Sequence, residues 1–230
     1  MTAPAVLLRA DFSCRALVQV SREPWTAAPA SGVTRCMLDR VGAELARATS
    51  VVRYEPGCRF PAHEHPLGEE FLVLEGVFED ELGEYPAGTY VRNPPGSRHA
   101  PGATRGCTIL VKLMQFTPDD RHRVCIDTRA ASAIPVPGAR GVHRLHLFEA
   151  RDEWVRIEYW IPGARPDLAA AAGCELFVLN GSLAIDGECL GRWDWLRLPP
   201  GSPPPEIRVS QPTSLWLKSG HLRALAAAGR

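Results

Sequence analysis

The sequence has no surplus charge of either sign. Its 230 residues carry 26 Lys and Arg against 26 Asp and Glu. Without excess positive charge to displace counterions from phosphates, sequence-nonspecific nucleic-acid binding is excluded. The same balance argues against a polybasic membrane-surface protein. Lysine is nearly missing, with only Lys112 and Lys218. No apolar run approaches the roughly 18 residues that would span a bilayer. Arg9, Asp11 and Arg15 interrupt the first twenty residues, which makes them a poor signal peptide. Cysteine pairing signals are also lacking. Cys14, Cys36, Cys58, Cys107, Cys125, Cys174 and Cys189 are odd in number, and none forms a C-x-x-C pair. A disulfide framework and a zinc ribbon both fail on that spacing, and free thiols in a reducing cytoplasm are expected. Helical periodicity is weak outside residues 222–228, where a short helix is expected.

Turn formers are plentiful, with 20 Gly and 21 Pro. Between them lie short runs rich in β-branched and aromatic residues: Thr49–Tyr54, Glu70–Leu74, Thr89–Arg92 and Thr108–Phe116, then Val155–Ile161, Leu176–Leu179, Trp195–Leu198 and Ser214–Lys218. Such runs read as strands, and their spacing as an all-β sandwich or barrel.

The two sets of runs are copies. Glu70 to Gly76 (EFLVLEG) matches Glu175 to Gly181 (ELFVLNG), and Pro94-Pro95-Gly96-Ser97 matches Pro199-Pro200-Gly201-Ser202, both 105 positions on. Tyr54-Glu55-Pro56-Gly57 matches Trp160-Ile161-Pro162-Gly163 at 106, the two lysines are 106 apart, and Gly32-Val33 matches Gly141-Val142 at 109. A period of this length is one small domain, not a solenoid repeat. The expected organisation is an N-terminal extension over 1–30, a first domain over 31–125 and a second over 126–230.

The first copy holds a constellation suited to a metal. His63 and His65 are two apart, so on a strand both imidazoles face one side. The segment Pro66-Leu67-Gly68 can break the pleat before Glu69, and His99 follows the rigid turn Pro94-Pro95-Gly96. Three imidazoles and a carboxylate suit a divalent transition metal and leave coordination positions open. Alternation lets only one of Glu69 and Glu70 face the cavity. Cys58 and Cys107 could line it, with buried inert thiols the simpler reading. Phe71, Phe78, Tyr90 and Trp160 read as core. Arg92 and Arg98 could meet an anion but default to structural or surface roles. His122, His143, His146 and His221 read as surface or satisfied histidines.

Gly57-x5-His63-x-His65-x3-Glu69-x6-Gly76 resembles the first cupin motif in every spacing, and Gly88-x5-Pro94-x-Gly96-x2-His99 resembles the second. Ala103 stands where that motif has Asn. The resemblance implies a jelly-roll β-barrel with metal in one open end, and its pattern selects Glu69 as the carboxylate ligand. The stretch from Gly68 to Ser97 is similar to the cupin domain of ChrR-type anti-sigma factors. That likeness implies zinc held by His63, His65, Glu69 and His99. The helical sigma-binding module of those regulators carries a His-x3-Cys-x2-Cys site, and residues 1–53 contain no such set.

In the second copy, His63 becomes Leu168, His65 becomes Ala170, Glu69 becomes Cys174 and His99 becomes Pro204. Two tandem cupin barrels are therefore expected, the second degenerate and kept for packing. One reading is a metal-binding sensor that takes a small ligand or registers oxidants, with a partner protein responding to the change. The alternative is a mononuclear metal-dependent dioxygenase. Zinc leads for the first, while iron, manganese or nickel also suit the ligand set. A homodimer is a family-level expectation.

Overall fold

The computed structural model describes residues 5–43, 45–150, 152–168, 170–223 and 225. The helix expected over 222–228 lies largely outside them. Among the described residues, helical geometry is limited to 3-10 turns at Val20–Arg22 and Ala170–Ala172 and to Arg223 and Leu225. Among the described residues no helix is long and apolar enough to cross a membrane.

The chain folds as two all-β jelly-roll units. The first gathers residues up to Ala10 with Pro24–Ala130, and the second gathers Asp11–Glu23 with the chain from Ala131 onward. Residues 11–23, within the stretch read as an N-terminal extension, thus belong to the second unit. The main sheet of the first unit runs in the order Val6–Leu8, Val33–Gly42, Ala46–Tyr54, Cys107–Leu113, Glu69–Asp80, Thr89–Asn93, Val124–Asp127. That of the second runs Ile134–Pro135, Val142–Ala150, Glu153–Trp160, Thr213–Ser219, Cys174–Asn180, Trp195–Leu198, Ala16–Val18. Each of the β-branched runs falls on a strand, because Gly and Pro bound the runs and exclude helix. Val33–Gly42 and Val142–Ala150 are further long strands, in which charged residues interrupt the apolar ones, and the runs did not include them.

The duplication extends to backbone irregularities. The first unit has bulges that skip Leu38 and Leu74, and the second has bulges that skip Leu147 and Leu179. These pairs stand 109 and 105 residues apart, the same offsets as the sequence repeats. A bulge bends its strand and raises local twist, so both copies curve at matching points. The outer strands break this pattern. Ala16–Val18 precedes Val33–Gly42 as Val124–Asp127 precedes Val142–Ala150. Yet Ala16–Val18 pairs with Trp195–Leu198, and Val124–Asp127 pairs with Thr89–Asn93. Each copy's leading strand completes the sheet of the other copy's barrel.

Phe71, Val73, Phe78, Val91, Ile109 and Val111 fill the first barrel. Trp160, Leu176, Val178, Leu196, Leu215 and Leu217 fill the second. The opposite sheet faces are buried as well and carry charge: Glu70, Arg92 and Lys112 in one unit, Glu175, Arg197 and Lys218 in the other. Lys112 donates to Thr49 Oγ1 at 2.8 Å, and Lys218 pairs with Glu153 at 3.1 Å. The two lysines are thus buried ion and hydrogen-bond partners at matching places.

Candidate metal centre

His63–His65 pairs antiparallel with Ser97–His99, with His99 directly opposite His63. Residues i and i+2 of one strand and the facing residue of its partner share a side. All three imidazoles therefore converge, with ring centroids 4.8 to 5.3 Å apart. One nitrogen from each lies within 4.8 Å of the others. His65 and His99 are buried, and His63 is exposed at the rim.

Glu69 lies on the inward face with Phe71 and Val73, and Glu70 on the other. The Glu69 carboxylate comes within 3.7 Å of His65 Nε2 and 3.5 Å of His99 Nε2. Asn93 Nδ2 donates to its Oε2 at 3.1 Å. Glu70 instead accepts from the Tyr90 hydroxyl and lies 3.8 Å from Arg92. Arg92 also pairs with Asp120 at 2.5 Å and stacks on Phe116 at 3.7 Å. Its role is structural, and Arg98 is exposed.

The second ring nitrogens show why this donor set suits a cation. His99 Nδ1 lies 3.3 Å from Asp80 Oδ2, and His63 Nδ1 lies 3.1 Å from the Pro61 carbonyl. Both acceptors require N–H at Nδ1, which leaves the Nε2 lone pairs free. His65 Nε2 and His99 Nε2 are 3.0 Å apart. That spacing places both nitrogens within reach of a single cation.

Burial lowers the His65 pKa, the Glu69 charge opposing it. Burial also acts to lower His99, but the hydrogen bond to Asp80 and the charges of Glu69, Asp80 and Glu81 outweigh it and raise that pKa. Burial would raise Asp80, yet hydrogen bonds from His99, the Leu82 amide and Tyr85 hold it below the ordinary carboxylate range. Asp80 and Asn93 were not singled out in the sequence. Asp80 is 19 residues from His99 and reaches it only through the fold.

Around the cluster, Tyr54 packs edge-on against Phe60 and Phe78, and Phe78 lies 6.0 Å from the His99 ring. Cys58 and Cys107 are buried free thiols. Burial raises both, Cys107 to about 12, so they are neutral. His122 pairs with Asp120 and His221 with Glu175. His143 and His146 fall on opposite faces of their strand.

In the second unit Leu168 and Cys174 are buried in the apolar cluster with Trp160 and Leu198. Burial pushes the Cys174 thiol up to about 12. Pro204 is exposed, and Ala170 lies among residues whose side chains are not described. Apolar packing does not account for the whole interior: Arg144, Arg156 and Glu158 line its inward face.

Residues 13–117 match the family described as the ChrR cupin-like domain. No curated protein matches the sequence. Among solved structures, a candidate dioxygenase from Nostoc punctiforme shares 12% identity at a TM-score of 0.67, covering 94% of this chain and 81% of that one. The pirin YhhW of Escherichia coli, solved in complex with nickel(II), shares 15% at 0.59, covering 90% and 98%. A variant of the oxalate decarboxylase of Bacillus subtilis shares 12% at 0.59, covering 89% and 77%. At these identities the likeness is one of fold.

Proposed function

Because residues 13–117 match the ChrR cupin-like family and the chain folds as two jelly-roll barrels in tandem, we propose that its first barrel holds one divalent metal ion and serves a sensory role, binding a small ligand or responding to an oxidant. His63, His65, Glu69 and His99 would hold the ion, with zinc the leading candidate. The observation that carries this reading is the convergence of three imidazoles on one point, with a carboxylate beside two of them. When bound, the ion supplies a Lewis acid. The chain's own residues do the rest. Asp80 and the Pro61 carbonyl fix the tautomers and aim the rings. Asn93 orients Glu69. Phe78 and Tyr54 form an apolar wall that limits water on the buried side.

A mononuclear dioxygenase is the second reading. The exposed rim at His63 favours it by leaving an approach for a substrate, and the fold likeness to the Nostoc protein is consistent with it. Elemental analysis of protein purified without added metal, combined with oxygen uptake on aromatic and diketone substrates, separates the two. Zinc without oxygen consumption supports the sensor and ends the dioxygenase reading. Iron with substrate-dependent uptake does the reverse.

Asp80→Asn keeps the size of the side chain but removes the charge behind His99. Metal affinity is expected to fall about 10- to 100-fold, as for other outer partners of a ligating imidazole. Competition with a chromogenic chelator measures it, and unchanged affinity would remove Asp80 from the centre.

A further inference from the structure

The second unit contains a cavity of about 580 Å³, a size typical of small-molecule sites. Its floor is the inward face of the sheet, the face that further along carries Trp160, Leu215 and Leu217. Arg144, Trp154, Arg156, Glu158 and Ser219 form that floor, and Arg165 stands at the rim.

Glu158 is fully buried and anchors the floor. It accepts from Arg144 Nη2 at 2.7 Å, from Arg156 Nε at 2.8 Å and from Trp160 Nε1 at 2.8 Å. Arg156 Nη1 donates to Ser219 Oγ at 2.9 Å. One carboxylate thus serves two guanidinium groups. Arg144 Nη1, Arg156 Nη2 and the whole Arg165 guanidinium have no hydrogen-bond partner among the described residues. The charged lining comprises three arginines against Glu158 and Asp167, a formal excess of one positive charge.

The first barrel lacks this arrangement. By strand register Arg156 and Glu158 correspond to Ser50 and Val52. A barrel retained only for packing has no need of buried ionic groups, which are costly to desolvate and often no more stabilising than apolar replacements. Planar guanidinium forks are well matched to carboxylates. A single excess charge suits a monoanion better than a phosphate dianion. The Trp154 indole and the loop from Val136 to Ala139 add apolar wall.

We infer that this cavity binds a small organic monocarboxylate, its charged end held by Arg144, Arg156 and Arg165 and its apolar body against Trp154. The site is independent of the metal reading and gives the second barrel a ligand of its own.

The test is calorimetric titration of the full chain, stripped of metal with EDTA, using benzoate, phenylacetate and hexanoate, their neutral amides, and inorganic phosphate. At least one carboxylate should bind at one site per chain, with its amide weaker by about tenfold or more. Arg144→Gln with Arg165→Gln should weaken binding by a similar factor. Arg165→Gln alone, at an exposed rim position, should weaken it several-fold without altering the fold. His63→Ala with His99→Ala should leave it unchanged. No carboxylate binding at millimolar concentration, binding indifferent to Arg165, loss of binding with the histidines, or tighter binding of phosphate would each overturn the inference.

Discussion

The chain purified without added metal is expected to carry about one divalent ion, and His63→Ala/His99→Ala essentially none. The double variant leaves His65 and Glu69, whose carboxylate lies 3.7 Å from the His65 ring. Two donors do not make the three- or four-ligand protein sites that such ions occupy. The substitutions should spare the barrel, since His63 is exposed and neither histidine belongs to the apolar cluster of Phe71, Val73 and Ile109. Metal analysis beside circular dichroism therefore separates loss of the ion from loss of the fold. Cys174→Ala is the matching control. Its neutral thiol is buried in the second unit, so metal content should not change. Stoichiometric metal in the double histidine variant would refute the site, and loss with Cys174→Ala would reopen the second barrel.

A large loss of stability is expected from substitution at Gly76. This glycine has φ +72°, and a Cβ there would lie 2.1 Å from the Gly106 carbonyl oxygen and 2.9 Å from Cys107 Cα. Both obstacles are backbone, Gly106 immediately before and Cys107 at the start of the paired strand Cys107–Leu113, and cannot swing away. Gly76→Ala combines left-handed strain of about 1–2 kcal/mol with overpacking of about 1–3 kcal/mol. At about 2–4 °C per kcal/mol for a chain of this size, the melting temperature should fall by about 4–20 °C. Gly57 provides the contrast. It has φ +83°, but a Cβ there meets nothing within 4 Å, so Gly57→Ala should cost only the strain. Equal melting shifts for the two variants would show that the close approach at Gly76 is not what requires glycine.

Much of this was legible in the chain. Most of the central strands stood out because β-branched runs lie between Gly and Pro, while Val33–Gly42 and Val142–Ala150 did not, because charged residues interrupt their apolar ones. The ligand candidates stood out because His-x-His alternation is local. Alternation also showed that Glu69 and Glu70 must face opposite ways. Which one faces inward depends on the sheet's position over the core, and that required either a family pattern or the structure. Asp80 escaped notice because it meets His99 only through pairing across the fold. The Arg144, Arg156 and Glu158 cluster escaped for a different reason. In Glu153–Trp160 the apolar Val155 and Ile157 alternate with Arg156 and Glu158, which reads as a strand with its charged face in water. Both faces are buried, and the charged one points inward. Periodicity finds the two faces of a strand but does not say which of them a second layer covers.

The pairing of Ala16–Val18 with Trp195–Leu198 puts the unit of duplication and the unit of folding out of phase. During synthesis the first of these strands emerges about 180 residues before its partner, so the second barrel stays incomplete until the last part of the chain has been made. The first barrel closes sooner, once Val124–Asp127 reaches Thr89–Asn93. Cutting the gene at the sequence repeat would therefore not yield two independent domains. A fragment ending before Val124 would expose the Thr89–Asn93 edge and carry a leading strand with no sheet to join. Unpaired edges of this kind recruit strands from other chains. Two separately made halves would thus have a built-in reason to find each other, and a lone half would have one to find its own copy.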